Sequence, residues 1–184
     1  VGGEKAGAFG AEARTVNGYL GSDGILPLIE VCKAYGKGFC VLVKTSNPSS
    51  DELQNQAFEG GEMLYEAMGR FCEEWGQSLP GKYGYSGVGA VVGATWPAQL
   101  TELRASLPHT FFLVPGYGAQ GGGADDVAPA FGKNGCGAVV NASRSILCAW
   151  KKQGASQEDY AACARKEALR MRDDIMKRIG EIRL

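Results

Sequence analysis

The chain has 184 residues, a formal net charge of −1 and a hydrophobic share of 45%, an ordinary soluble composition with enough length for one domain and a real core. That charge leaves no global field to gather nucleic acid, and no apolar run nears the ~20 residues that cross a bilayer, so neither nucleic acid nor membrane is an expected partner. Val1-Gly2-Gly3-Glu4-Lys5 has no apolar stretch behind it and does not read as a signal peptide, which points to the cytoplasm.

Residues 1–12 are rich in glycine and alanine and are a candidate for partial disorder. Residues 13–17 form the first predicted strand, and residues 17–24 are adequately explained as a loop that caps a helix. That helix, 23–35, carries Ile25, Leu28, Ile29 and Cys32 on one face and is stopped by Gly36. The second strand, 39–45, runs into Lys44-Thr45-Ser46-Asn47-Pro48-Ser49-Ser50. Hydroxyl and amide groups there can read a polar ring edge, although a proline turn capping Glu52-Leu53-Gln54 accounts for the same residues equally well. Alternation places Lys44 with Cys40 and Leu42, away from Val41 and Val43, so it is expected as a rim charge rather than a catalytic base.

Helix 60–76 follows, with Met63, Leu64, Ala67, Met68, Phe71, Cys72 and Trp75 on one stripe. Strand 88–94 leads to helix 97–107, which opens on a proline and turns Leu100, Leu103 and Leu107 inward. Strand 110–114 ends in the glycine-rich Pro115-Gly116-Tyr117-Gly118-Ala119-Gln120-Gly121-Gly122-Gly123, before a short helix over 125–132. Strand 138–141 ends in Ala142-Ser143-Arg144, followed by helix 145–152. Ser156 caps a last helix reaching about Ile182, with Tyr160, Ala164, Ala168, Met171 and Ile175 facing one way.

The strands are near-continuous apolar runs, the pattern of a parallel sheet, and the order is β-α five times over. The expected fold is α/β, an arc of a TIM-type barrel, with an open doubly wound sheet as the alternative. In either, ligands sit at the C-terminal ends of the strands. Barrels bind phosphate with the loops after their last two strands, where the glycine loop can turn N–H groups to an anion and Arg144 can fork onto its oxygens; Gln120 adds a side-chain amide. Gly116-x-Gly118-x-x-Gly121 also fits a dinucleotide fingerprint, and with Arg144 for a 2′-phosphate an NADP-binding domain is the competing reading; no acid ends the next strand to hold a ribose. Of six cysteines none forms a C-x-x-C pair, and they read as small buried hydrophobes in a reducing compartment. The single histidine, His109, removes multi-histidine metal sites and reads as structural, and no metal is expected.

Four ordered motifs carry a family resemblance: Val43-Lys44-Thr45-Ser46-Asn47-Pro48, Val92-Gly93-Ala94-Thr95-x-Pro97, Pro115-Gly116-Tyr117-Gly118-Ala119-Gln120-Gly121-Gly122 and Val140-Asn141-Ala142-Ser143-Arg144. With Thr15-Val16-Asn17-x-Tyr19-Leu20-Gly21, they resemble the type 2 branch of orotidine 5′-phosphate decarboxylases from Thr15 to Trp150. The resemblance implies a dimeric (β/α)8 barrel converting orotidine monophosphate (OMP) to UMP and carbon dioxide in pyrimidine biosynthesis without a cofactor. It implies that Gln120, Gly121 and Arg144 hold the 5′-phosphate, that Gln120 also reaches the pyrimidine O2, that Ser46 bonds the pyrimidine edge and that Pro115 lines the base pocket. Thr45, Asn47 and Ser143 stand beside these as further candidates.

The family's chemistry centres on an Asp-x-Lys-x-x-Asp motif, which the 184 residues do not contain, so no catalytic residue is assigned here. The five strands would match strands four to eight of the family. The chain is expected to be the C-terminal portion of the barrel in one domain, with the first three strands upstream of Val1; a non-catalytic barrel fragment is a further alternative.

Overall fold

The computed structural model describes residues 11–118 and 121–183. In chain order the elements are β1 (Ala13–Val16), α1 (Ser22–Tyr35), β2 (Gly38–Lys44), α2 (Asp51–Gln54), α3 (Leu64–Gly76), β3 (Val88–Val92), α4 (Pro97–Ser106) and β4 (Phe112–Pro115). There follow α5 (Ala124–Val127), β5 (Ala138–Asn141), α6 (Arg144–Leu147), α7 (Ala149–Lys152) and α8 (Tyr160–Ile179). All four strand pairings are parallel, and the strands lie side by side in sequence order. A doubly wound sheet would reverse that order at its crevice. These five strands advance one step per βα unit without reversal, and the result is a curled half-barrel.

The register separates two faces. Phe39, Val41, Val88, Ala90, Val92, Phe112 and Val114 are aligned on the face that the helices cover, and all are buried. Ile25 and Ile29 of α1, Cys72 and Trp75 of α3, Leu100 and Leu103 of α4, and Met171 and Ile175 of α8 meet them there. The other face carries Cys40, Leu42 and Leu113, half-buried, and Val139, 48% exposed. The core is therefore the layer between sheet and helices, as continuous apolar strands require.

Local signals explain the boundaries. Gly36 ends α1 in the left-handed conformation, φ 62° and ψ 39°. Pro97 opens α4 at a first-turn position. Arg104 leaves the last turn of α4 and donates to the carbonyls of Leu107 and Thr110, lying 4.2 Å over the Phe112 ring. It ties the start of β4 to the helix before it.

Several expectations are corrected. The helix expected from residue 60 starts at Leu64, because 57–63 form a small antiparallel turn with Ala57 bridged to Met63. The single helix expected over 145–152 is two turns, α6 and α7, meeting at Cys148. Ser156 does accept from the Glu158 N–H, 3.1 Å, but it opens a 3-10 turn, and the long helix runs only from Tyr160 to Ile179. Tyr160 and Leu28, expected to face inward, are exposed, at 55% and 36%. Tyr160 sits at the helix start, well before Met171 and Ile175 join the core. The expectation of disorder over 1–12 falls mostly on residues outside those described.

All six cysteines are free. Burial pushes the Cys72 thiol far above the usual thiol range and raises Cys40 and Cys32 as well, so these sulfurs behave as packing atoms. Because Phe112 has no exposed surface at the centre of the core, Phe112→Ala is expected to cost about 3–5 kcal/mol. Tyr160→Ala should stay within about 0.5 kcal/mol. Urea unfolding followed by circular dichroism measures both, and equal costs would mean that the assigned core is wrong.

Candidate functional site

The segments that end the strands meet along one edge of the sheet. The Gly93 N–H donates to the Lys44 carbonyl at 2.7 Å, joining the ends of β2 and β3. A methyl group on Gly93 would lie 2.7 Å from Ser46 Cβ and 2.9 Å from its backbone N, so only glycine lets the Ser46 turn lie against β3. One residue on, the Ala94 N–H donates to the Pro115 carbonyl at 2.8 Å. Gly122 packs on Ala94, where an added Cβ would stand 2.7 Å from the Ala94 methyl. Gly118, at φ 78°, lies against Ser145 beside Arg144. A continuous strip thus runs from Ser46 through Gly93, Ala94 and the glycine loop to the turn that carries Arg144.

The glycine loop is a closed turn. Gly118 N–H donates to the Gly122 carbonyl at 2.7 Å and Gly121 N–H to the Gly118 carbonyl at 3.1 Å. The Gly123 N–H donates to Asp126 Oδ2 at 2.7 Å. Gly116, Gly118 and Gly121 all have positive φ. The expectation that the loop turns its N–H groups toward an anion is narrowed accordingly, since those of Gly118, Gly121 and Gly123 are spent inside the turn. The Tyr117 side chain fastens the loop to α8: its Oη donates to Asp174 Oδ2 at 2.6 Å. Arg178 of α8 pairs with Asp125 just beyond the loop, 2.6 Å.

Of the residues singled out from sequence, Ser46 and Pro115 are half-buried at this edge, and Gly121, Ser143 and Arg144 are exposed. Among the described residues no hydrogen bond or ion pair engages the Arg144 guanidinium, and the Ser46 hydroxyl has no partner. Gln120 lies outside the described residues. Thr45 is committed locally: its N–H donates to Gln54 Oε1 at 2.9 Å, its Oγ1 donates to Asn47 Oδ1 at 2.6 Å, and Gln54 Nε2 donates to Thr45 Oγ1 at 2.8 Å. The proline turn of the capping reading is present, as a 3-10 turn over Pro48–Ser50 that leads into α2, but neither Asn47 nor Ser50 caps it with a side chain. His109 lies near the start of β4, away from this edge, where its ring meets Glu73 at 2.7 Å.

Lys44 is not a rim charge. It is fully buried, its Nζ 2.6 Å from Asp51 Oδ1, 2.9 Å from Asn55 Oδ1 and 3.4 Å from Ser50 Oγ. A bulge causes this. Leu42 pairs with Val91 but Lys44 pairs with Val92, so the strand slips by one residue and turns Lys44 to the helix-covered face. Counting alternation along the sequence cannot register such a slip. Sequence reasoning also gave Trp96 no role, yet its ring lies 4.0 Å from Lys44 Nζ and its Nε1 donates to the Thr45 carbonyl at 2.8 Å. An aromatic directly before a helix-opening proline was the available signal.

Residues 4–158 match the sequence model of the orotidine 5′-phosphate decarboxylase / HUMPS family. The chain belongs to this family. It is 45% identical over 174 residues to an orotidine 5′-phosphate decarboxylase of Clostridium tetani, covering 95% of this chain and 60% of that protein. It is 43% identical over 171 residues to one of Rhodopirellula baltica, covering 91% and 56%. The structure of Leishmania donovani OMP decarboxylase superposes with a TM-score of 0.64 at 32% identity, covering 85% of this chain and 58% of that one. A crystal structure from Toxoplasma gondii reaches 0.77 at 32% identity, covering 95% and 62%. The chain spans about three fifths of the length of the curated relatives it matches.

For a family member built this way, the anchor under the glycine loop has a pH signature. Burial first, then the Asp174 bond and charge, pushes the Tyr117 phenol up to about 12. Burial, with Glu66 and Glu102 nearby, does the same to Tyr65. Both folded values lie above the unfolded value of about 10. Their contribution to stability is therefore complete below about pH 10 and is lost as pH rises toward 12. Phenolate absorbance should show this late-titrating class, and Tyr117→Phe should shrink it; a late class of unchanged size would refute the assignment.

Proposed function

We propose that this chain is the C-terminal, nucleotide-gripping part of a type 2 orotidine 5′-phosphate decarboxylase, whose reaction converts OMP to UMP and carbon dioxide. The observation that carries the reading is the strip of close contacts that brings Ser46, Pro115 and Arg144 to one edge of the sheet. Arg144 and the Gln120 side-chain amide hold the 5′-phosphate, a dianion that a guanidinium fork suits, while Gly121, its N–H spent within the turn, leaves room for the approach. Ser46 bonds the pyrimidine edge, Pro115 lines the base pocket, and Asn47 and Ser143 complete the rim around them. Thr45 supports the turn through Gln54. No cofactor is needed. The working form is a cytoplasmic homodimer of the complete barrel, acting on a free nucleotide rather than on nucleic acid or at a membrane. The NADP-binding alternative needs a crevice at a reversal of strand order, and the five strands run in sequence.

Removal of the carboxylate leaves carbanion character on a ring carbon, which needs a nearby cation and then a proton. The one lysine among the strand-end motifs, Lys44, is buried against Asp51 and Asn55 and faces away from the inner side of the sheet. The 184 residues hold no Asp-x-Lys-x-x-Asp. The chain alone thus grips the ground state without groups that act in the transition state, and such uniform binding does not speed the chemical step.

Two measurements test this. Arg144→Ala should weaken UMP binding by about 1.5–3 kcal/mol, roughly ten- to a hundredfold, the worth of a charge-assisted hydrogen bond. An unchanged dissociation constant in calorimetric titration rejects the phosphate assignment. The purified 184-residue chain should not consume OMP in a spectrophotometric assay; turnover that Lys44→Ala abolishes would place the catalytic centre at Lys44 instead.

A further inference from the structure

A buried ammonium is expensive unless every proton it donates finds an acceptor. Lys44 has no exposed surface, and its three acceptors, Ser50 Oγ, Asp51 Oδ1 and Asn55 Oδ1, all belong to the short stretch that follows the Ser46 turn. Its fourth contact is the Trp96 ring at 4.0 Å, an attraction strengthened by the lack of water. Trp96 in turn donates to the Thr45 carbonyl at 2.8 Å, while Gln54 holds the Thr45 N–H and hydroxyl. The chain from 44 to 55 is thus closed on itself twice, once through Lys44 and once through Gln54, and Trp96 pins the closed loop to the end of β3. Ser46 sits inside this loop, pressed on Gly93.

Stability alone does not call for this arrangement. An apolar side chain of similar length would fill the slot without the cost of desolvating a charge, and such exchanges are often neutral or stabilising. What it would lose is direction, the three oriented bonds from β2 to residues 50–55. We infer that Lys44 is a positioning residue: it sets the conformation of the loop that presents Ser46 to the ring of a bound nucleotide, and so governs the grip on the base separately from the grip on the phosphate. The inference rests on the nucleotide-binding reading above.

Lys44→Met is the direct test, because Asp51 is 48% exposed and is not left as a stranded buried charge. UMP and ribose 5-phosphate, which carries the phosphate without a base, are titrated into the wild-type chain, Lys44→Met and Trp96→Phe. UMP affinity should fall about tenfold in both variants, the worth of one well-placed hydrogen bond, while ribose 5-phosphate affinity stays as in wild type. Equal weakening of both ligands, or undiminished UMP affinity in a folded variant, overturns the inference. Should Lys44→Met fail to fold, Trp96→Phe decides by the same two outcomes. Hydrogen exchange at the Thr45 amide is read in parallel, since that N–H bonds within the loop. If the wild-type chain binds neither ligand, the nucleotide reading fails, and exchange decides the positioning claim: faster exchange in the variants upholds it and unchanged exchange overturns it.

Discussion

Parallel pairing is the constraint on which everything else depends. A parallel strand cannot be followed by its neighbour through a tight turn; the chain must cross back over the sheet each time, here by α1, α3, α4 and α5. Every crossover returns the chain to the same end of the sheet, so every strand delivers its C-terminal loop to the same edge. Five pieces of sequence as far apart as residues 17 and 144 become neighbours for that reason alone. The crossovers also bury one face of the strands completely, and Val88, Ala90, Val92, Phe112 and Val114 have no exposed surface. Burial of that face supplies most of the stability and leaves the strand-end loops free to be chosen for contact and shape.

The edge is held together by small residues where backbone must approach backbone, and by one charge where a loop must be oriented. Gly93, Gly118 and Gly122 have no room for a Cβ without displacing Ser46, Ser145 or Ala94. Close approach alone fixes distance but not direction. The Ser46 loop gains direction from Lys44, and the glycine loop gains it from Tyr117 and Asp174 on the last helix. The two loops are therefore oriented by separate devices, one rooted in β2 and β3 and the other in α8.

Much of this was legible in the sequence because it rests on local signals. The five strands fall within about two residues of their expected limits, since unbroken runs such as Val88-Gly89-Ala90-Val91-Val92 fit neither a half-exposed strand nor a surface helix. Gly36 and Pro97 marked helix ends for steric reasons that hold anywhere. The glycine loop and Arg144 stood out because each follows the end of such a strand, whereas Ser46 and Pro115 were singled out by the family resemblance. Two features stayed hidden. The orientation of Lys44 depends on a one-residue slip against β3, a relation between strands that alternation within one strand does not contain. The outward placement of Tyr160 depends on where α8 first touches the sheet, and a helical stripe gives faces but not the point of contact.

In the proposed reading the edge also divides the labour of binding. Arg144 approaches from the turn after β5, and the Ser46 loop from the end of β2, with β3 and β4 between them. The intervening positions are Gly93, Ala94 and Pro115, residues without hydrogen-bonding side chains. A ligand that satisfied both ends would need a charged group at one end, a polar ring at the other and an apolar-tolerant middle, spanning three strand-to-strand intervals of about 4.8 Å each. A nucleoside monophosphate has that profile. A bare phosphate or a bare ring would fill one end only, and neither would exploit the rigid spacing that the parallel register supplies.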